Sequence, residues 1–337
     1  MTNTTEWITR SVSRLRSGAP STDKAPKASK PAADKPLADK QVADGAATKV
    51  PAPRSTHERL QATLRRGNES LSPRALRRLL ADLQDVVAPQ VSELEGGRRA
   101  QVVAGWYGQA EPEERRDMWL LLCEQFAPDA TRFQSARQRY EAAAGTADEG
   151  QAEISLRRAL VSPRTRLMQR FAVFPEGMRF LVDLRAELLP QLKSDKRLVA
   201  LDADLEHLFT TWFDVAFLEL RRLSWDSPAS LIEKLIKYEA VHDIRSWADL
   251  KNRLDSDRRC YGFFHPRLPN EPLIFVEVAL VDRISSSITP LLDEAAAPAD
   301  LKKATTAIFY SISNTQPGLR GVSFGDSLIK HVVETLT

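Results

Sequence analysis

The spacing of apolar side chains changes once along this chain of 337 residues, and that change limits the folds open to it. Up to about residue 223, large apolar residues recur every three or four positions, the repeat of a helix that buries one face. Leu76, Leu79, Leu80, Leu83, Val86 and Val87 form such a stripe behind Ser72-Pro73, an N-cap followed by a first-turn proline. Near Arg258 the period shortens from 3.6 to two. Residues 258–264 and 272–281 are rich in β-branched and aromatic side chains, and His265-Pro266-Arg267-Leu268-Pro269-Asn270 between them reads as the turn of a hairpin. A further strand is expected over 307–313. The pattern predicts an α+β chain, helices first and sheet afterwards.

Further helix starts lie at Pro112-Glu113-Glu114, Ser162-Pro163, Pro175-Glu176-Gly177 and Asp226-Ser227-Pro228, with breaks at Glu95-Gly96-Gly97 and Gly145-Thr146. Residues 203–223 are apolar nearly all round, which predicts a helix buried on several sides, between domains or at a subunit contact. Residues 1–55 are mostly Ala, Pro, Lys and Asp and lack the apolar content to offset ordering entropy, so a disordered tail is expected. Residues 56–190 then make an all-helical bundle with no polar constellation that suggests chemistry. An oligomerisation or interaction domain, and with it a homo-oligomer, is the reading there. Residues 191–337 make the second domain.

Charge excludes some functions. The net charge is +3, with ten Lys/Arg against five Asp/Glu in residues 1–55 and a slightly acidic remainder, so the folded part offers no basic stripe for nucleic acid. Two cysteines, Cys123 and Cys260, supply neither a disulfide framework nor a zinc site, and no metal is expected. No apolar run reaches the roughly 18–20 residues that span a membrane. Trp7 to Arg16 is faintly amphipathic and arginine-bearing, but Asp23, Asp34, Asp39 and Asp44 follow, and transit peptides are acid-poor. A cytoplasmic protein is expected, with the mitochondrial matrix as the alternative.

The last strand leads into Gln316-Pro317-Gly318-Leu319-Arg320-Gly321-Val322, a turn expected to open directly into a final amphipathic helix. Glycines allow a ligand close to the backbone, and free N–H groups near a helix start suit phosphate. The same glycines also fit a tight connection that merely avoids steric strain.

Seven blocks carry a resemblance. Tyr238-Glu239-Ala240-Val241-His242, Arg259-Cys260-Tyr261, Phe264-His265-Pro266, Asn270-Glu271-Pro272-Leu273, Val278-Ala279-Leu280, Ile284-Ser285-Ser286 and Ala307-Ile308-Phe309-Tyr310-Ser311-Ile312-Ser313, with Thr315-Gln316 and Gly318-Leu319 after it, resemble the malonyl-CoA decarboxylase family in order. The similarity runs from about Phe171 to the C-terminus and is looser before it. It implies an N-terminal helical domain followed by a GNAT-like acyl-CoA α/β domain. The implied reaction converts malonyl-CoA to acetyl-CoA and CO2, the coenzyme A thioester being substrate and no cofactor being needed.

Residue by residue, the resemblance implies Ser311 as the catalytic serine. Ser313, two residues on and therefore on the same strand face, is the alternative. Arg283, Ile284, Ser285, Ser286, Ser287, Ile288 and Thr289 match a segment that contacts substrate, and Ser285–Ser287 also read as a helix N-cap. Gln316, Gly318, Leu319, Arg320, Gly321 and Val322 match the turn that grips the pantetheine–pyrophosphate arm. The family's proton-donating histidine lies farther downstream than Thr337. None of His57, His207, His242, His265 and His331 matches it, so the donor is expected to be absent and the second domain incomplete, as in a truncated product. Two other readings share these features: a GNAT acyltransferase, and a non-catalytic acyl-CoA-binding or oligomerisation fragment.

Overall fold

The computed structural model describes residues 70–324 and 327–336. The tail expected over 1–55, the start of the helical region at 56 and His57 lie outside the described residues.

Among the described residues, seven helices come first: α1 (Pro73–Val86), α2 (Glu93–Gln109), α3 (Pro112–Gln125), α4 (Ala130–Ala143), α5 (Glu149–Leu160), α6 (Pro163–Phe171) and α7 (Gly177–Leu188). Their starts follow the chemistry of the sequence. The Ser72 and Ser162 side chains accept from the N–H groups of Ala75 and Thr165, with proline filling the next position in each case. Glu111 and Glu114 close a capping box ahead of α3. All five predicted stripe residues from Leu76 to Val86 are buried on α1.

Gly96 and Gly97 do not break a helix; they sit inside α2. A Cβ at Gly96 would come within 2.8 Å of the Val86 carbonyl, and one at Gly97 within 2.6 Å of Val173 Cγ1. They are glycines because two neighbouring segments approach α2 closely. Gly145, with φ +75°, does turn the chain between α4 and α5.

The helix expected over 203–223 is shorter and lies earlier. Helix α8 (Val199–Trp212) ends at Phe213, a 3-10 turn capped by Asp214 follows, and β1 (Glu219–Leu223) is a strand. The apolar run conceals two periods, since Leu218, Glu219, Leu220 and Arg221 alternate apolar and polar as a strand requires. Helix α9 (Ala229–Tyr238) starts after Pro228 with no side-chain cap, so Ser227 does not serve there. Helix α10 (Trp247–Arg253) is capped by Ser246.

The hairpin forms as β2 (Arg258–His265) and β3 (Leu268–Val281), tighter than predicted because β3 begins at Leu268 and the register slips between Phe263 and His265. β4 (Thr306–Asn314) matches the last predicted strand, and α11 (Ser327–Leu336) ends the described chain. The sheet is antiparallel throughout, in the order β1-β2-β3-β4. The chain is thus α+β, a helical N-terminal region followed by a small antiparallel sheet.

Two faces of the sheet do different things. Tyr261, Phe263, Ile274, Val276 and Val278 join Leu205, Phe209 and Phe213 in the core shared with the N-terminal helices. Leu223, Cys260 and Phe275 face Ile232, Leu235 and Leu250 on α9 and α10. The second face also carries the polar groups described next.

Candidate functional site

Strand alternation puts Ser311 and Ser313 on one face of β4, turned toward the end of α9. Glu239 follows the last residue of α9, where the chain becomes extended, and its carboxylate reaches both serines. Ser311 Oγ donates to Glu239, 2.7 Å from Oε1 and 2.9 Å from Oε2, and Ser313 Oγ donates to Oε2 at 2.9 Å. The N–H groups of Val241 and His242 donate to Oε1 at 2.9 and 2.8 Å. All three side chains are buried, so an acidic group is kept there by four donors that replace water.

The two serines are not equivalent. Ser313 Oγ also accepts from Ala240 N–H at 3.1 Å, whereas Ser311 takes no backbone donor and keeps lone-pair capacity. The two oxygens are 3.3 Å apart. Glu239 escaped the sequence reading, although it stands inside one of the family-like blocks, because nothing in its neighbours shows that a serine 72 positions away will face it.

A second acid lies beside this group. Glu277 is opposite Ser311 in the β3–β4 register and fully buried. Burial pushes its carboxyl up to about 7. Arg253 opposes that rise, while the Glu239 charge adds to it. Arg253 Nη1 donates to Glu277 at 3.0 Å and Nε to Asp249 Oδ1 at 2.7 Å. Burial works against the Arg253 charge, but Asp249 and Glu277 hold its pKa above the ordinary value. Burial also raises the Cys260 thiol and the Tyr310 hydroxyl. Sequence reasoning missed Glu277; the signal that could have found it is a single carboxylate inside the run Leu273-Ile274-Phe275-Val276-Glu277-Val278.

The glycine turn lies at the C-terminal end of β4. Pro317–Leu319 form a 3-10 turn, and Gln316, Leu319, Arg320 and Gly321 help line a cavity of about 270 Å³. The N–H groups of Leu319, Arg320 and Val322 donate to the carbonyls of Gln316, Pro317 and Leu319. Gly318 packs on α7, where a Cβ would meet the Val182 carbonyl at 1.9 Å, and Gln316 Oε1 accepts from Arg179 Nη1 at 2.7 Å. Residues 320–324 separate the turn from α11, so it does not open directly into the helix.

Arg283 to Thr289 form a largely exposed loop after β3, at the other end of β4 from the glycine turn. Ser285 Oγ donates to the Ser287 carbonyl, and none of Ser285, Ser286 and Ser287 caps the 3-10 turn that starts at Thr289. Ile284, Ser286 and Ile288 complete the loop and make no hydrogen bond to Ser311 or Ser313. His207 lies on α8, whereas His242 sits in the bend after α9 rather than on a helix. His265 ends β2 and packs edge-on to Phe213, and His331 lies on α11 against Phe263. No histidine among the described residues hydrogen-bonds either serine.

Comparisons with known proteins agree on one family. Residues 126–213 match the family model for the malonyl-CoA decarboxylase N-terminal domain, and residues 216–337 that for the malonyl-CoA decarboxylase C-terminal domain. The chain is 42% identical over 186 residues to the Anser anser anser protein named malonyl-CoA decarboxylase, mitochondrial, covering 53% of this chain and 37% of that one. It is 36% identical over 250 residues to the Mus musculus protein of the same name, covering 71% of this chain and 51% of that one. Its fold is similar to the crystal structures of malonyl-CoA decarboxylase from Rhodopseudomonas palustris (TM-score 0.68, 42% identity) and Agrobacterium vitis (TM-score 0.70, 39% identity), with 77% of this chain and 62% of each of those chains covered. The chain therefore spans about half the length of its curated mammalian relatives.

Proposed function

Since this chain belongs to the malonyl-CoA decarboxylase family, we propose that it carries the serine and the acyl-CoA turn of a malonyl-CoA decarboxylase. Decarboxylation breaks the bond between the α-carbon and the carboxylate, releases CO2 and leaves the electron pair on the thioester as an enolate. The α-carbon then takes a proton from a general acid or water, giving acetyl-CoA. The thioester carbonyl is itself the electron sink, so the reaction as proposed runs without a cofactor.

The observation that carries the reading is the pair Ser311–Glu239. Glu239 fixes the Ser311 rotamer and takes its proton in a hydrogen bond, which leaves Oγ electron-rich and oriented. Ser311 contacts the malonyl carboxylate by turning its single O–H from Glu239 onto that anion and takes part in proton transfer, and Ser313 steadies Glu239 from the adjoining position. The cavity beside Gln316, Leu319, Arg320 and Gly321 supports the turn as the site for the anionic arm of coenzyme A. The GNAT-like reading of the domain rests on this arrangement of strand, serine and turn.

The test is single-turnover conversion of malonyl-CoA, followed by release of labelled CO2, with the wild-type chain and Ser311→Ala. The expected loss in Ser311→Ala is about 10²–10⁴-fold, the usual contribution of a positioned proton-transfer group. Equal rates in the two would sink the assignment. A second reading, acyl-CoA binding without turnover, is favoured by one observation: no described histidine reaches Ser311. Tight binding of malonyl-CoA with no CO2 from the wild type would select it.

Self-association through the helical region is also proposed. Helices α4 and α5 bury only Ala136 and Ala159, while Ile154 and Leu160 stay exposed, which suits a second copy of the chain. Light scattering should give an oligomer that Ile154→Glu weakens; a monomer at every concentration would end the idea. Cys123 and Cys260 are free thiols, which supports a reducing compartment, the cytoplasm or the mitochondrial matrix.

A further inference from the structure

Helix α7 belongs to the region that gave no sequence sign of chemistry, yet it carries a fully buried arginine. Arg185 is 1% exposed, and a guanidinium in that position is tolerated only when its donors are satisfied. Its Nε donates to Asp202 Oδ1 at 2.7 Å and its Nη2 to Glu206 Oε2 at 3.3 Å, both on α8. Those two carboxylates more than meet its single positive charge. The third nitrogen does something else: Nη1 donates to the Gly318 carbonyl at 2.9 Å and to the Arg320 carbonyl at 2.8 Å.

What this does to the turn follows from peptide geometry. In a planar trans peptide, the carbonyl of one residue and the N–H of the next point in opposite directions. With the Arg320 carbonyl drawn onto Arg185, the Gly321 N–H must face away from α7. Gly321 lines the 270 Å³ cavity and has φ +85°, a conformation that glycine adopts without strain. Its N–H has no acceptor among the described residues, whereas those of Leu319, Arg320 and Val322 are used inside the turn. Glu206 is the nearest side chain to Gly321, and Arg185, which it shares with Asp202, partly screens its negative charge.

We infer that Arg185 is the positioning residue of the phosphate-binding turn: by holding the Arg320 carbonyl it presents the Gly321 N–H, beside the Arg320 side chain, to the anionic end of a coenzyme A thioester. The inference rests on the acyl-CoA reading above and deepens it. The N-terminal helices then contribute to ligand affinity through a residue that never touches the ligand.

Calorimetric titration with coenzyme A and with pantetheine, which lacks every phosphate, separates this role from a structural one. The wild type should prefer coenzyme A. Arg185→Gln should reduce that preference on the order of 10-fold and leave the pantetheine affinity unchanged, as expected for a small displacement of a binding group. Gly318→Ala is the second variant and serves alone if Arg185→Gln does not fold. Its Cβ would lie 1.9 Å from the Val182 carbonyl, so it must lift the turn off α7 with Arg185 itself intact. Its affinity for coenzyme A is expected to fall by a similar factor. Unchanged coenzyme A affinity in the folded variants, or an equal loss for both ligands in Arg185→Gln, overturns the positioning role. A wild type that binds coenzyme A no more tightly than pantetheine overturns instead the acyl-CoA turn on which the role depends.

Discussion

Ser311 and Ser313 share Glu239 but differ in one contact, the Ala240 N–H that only Ser313 accepts, and the difference sets what each replacement should do. Ser313→Ala leaves the Ala240 N–H without a partner and removes one of the two hydroxyls at Glu239 Oε2. An unsatisfied buried donor costs about 1–3 kcal/mol, so this variant should lose stability in denaturant titrations and keep much of its turnover. Ser311→Ala strands no backbone group and should keep stability while losing turnover. A reversed pattern would move the catalytic role to Ser313. Glu239→Gln is isosteric but brings an amide that cannot accept from every donor now bound, two N–H groups and two hydroxyls, so it should impair both properties. The serine pair was legible because a strand period and a family-like block lie within a few residues. Glu239 and Arg185 were not, because their partners lie 72 and 133 positions away and no local pattern encodes such distances.

At the level of elements, β3 is the strand whose chemistry departs most from its appearance. It pairs on both sides, with β2 and β4, and buries Glu277 in an otherwise apolar run. The Glu277 carboxyl is pushed up to about 7 in the folded chain against 4.5 as the ordinary value. Between those limits the folded state holds more protons than the unfolded one, so stability is greatest at the acid end and falls as pH rises toward about 7. Asp195 acts in the opposite sense at lower pH, since its hydrogen bonds from Arg197 and Arg116 hold it below the usual carboxylate range. Thermal melts at about pH 5 and about pH 8 should show the wild type losing stability at the higher value, with Glu277→Gln flattening that slope. Equal slopes in the two proteins would remove Glu277 as the cause. The turn after β4 offers a second check. Gly321 is at φ +85°, and a Cβ there would meet nothing closer than Glu206 Oε1 at 3.8 Å, so Gly321→Val adds backbone strain of about 1–2 kcal/mol and should weaken coenzyme A binding in the same calorimetric assay. The elements that sequence did disclose, α1, α6, β2, β3 and β4, have caps or an unmixed period. β1 was hidden because its leucines continue the apolar run of α8, and α2 because its two glycines answer to packing rather than to a break.

Across the molecule, the sequence divides at about residue 190 into a helical module and a sheet domain, but the buried core does not divide there. One cluster runs from Leu71 on the approach to α1 through Met118, Leu167 and Leu184 to Phe263, Ile274 and Val332. Phe213 sits at its middle, fully buried, edge-on to Phe209 of α8 at 5.6 Å and to His265 of β2 at 5.1 Å. Arg267 in the β2–β3 turn reinforces the junction by donating to the carbonyls of Ala172, Val173 and Phe174 after α6. Removing the Phe213 ring takes packing from helices and sheet at once, at about 3–5 kcal/mol for a buried phenylalanine truncated to alanine. That is a large share of the roughly 5–15 kcal/mol that holds a domain folded. If the core is one cooperative unit, Phe213→Ala should lower amide-exchange protection in α1–α3 and in β2–β3 by the same free energy, and melting should remain a single transition. Independent modules would answer differently: protection in α1–α3 would stay at the wild-type level while β2 and β3 opened. The shared core matters for the site as well, because Arg185, Val182 and Arg179 hold the Gln316–Arg320 turn from within the helical region. Loosening that region by Phe213→Ala should therefore weaken coenzyme A binding even though Phe213 lies outside the cavity lining, and unchanged affinity in a destabilised but folded variant would show the two to be uncoupled.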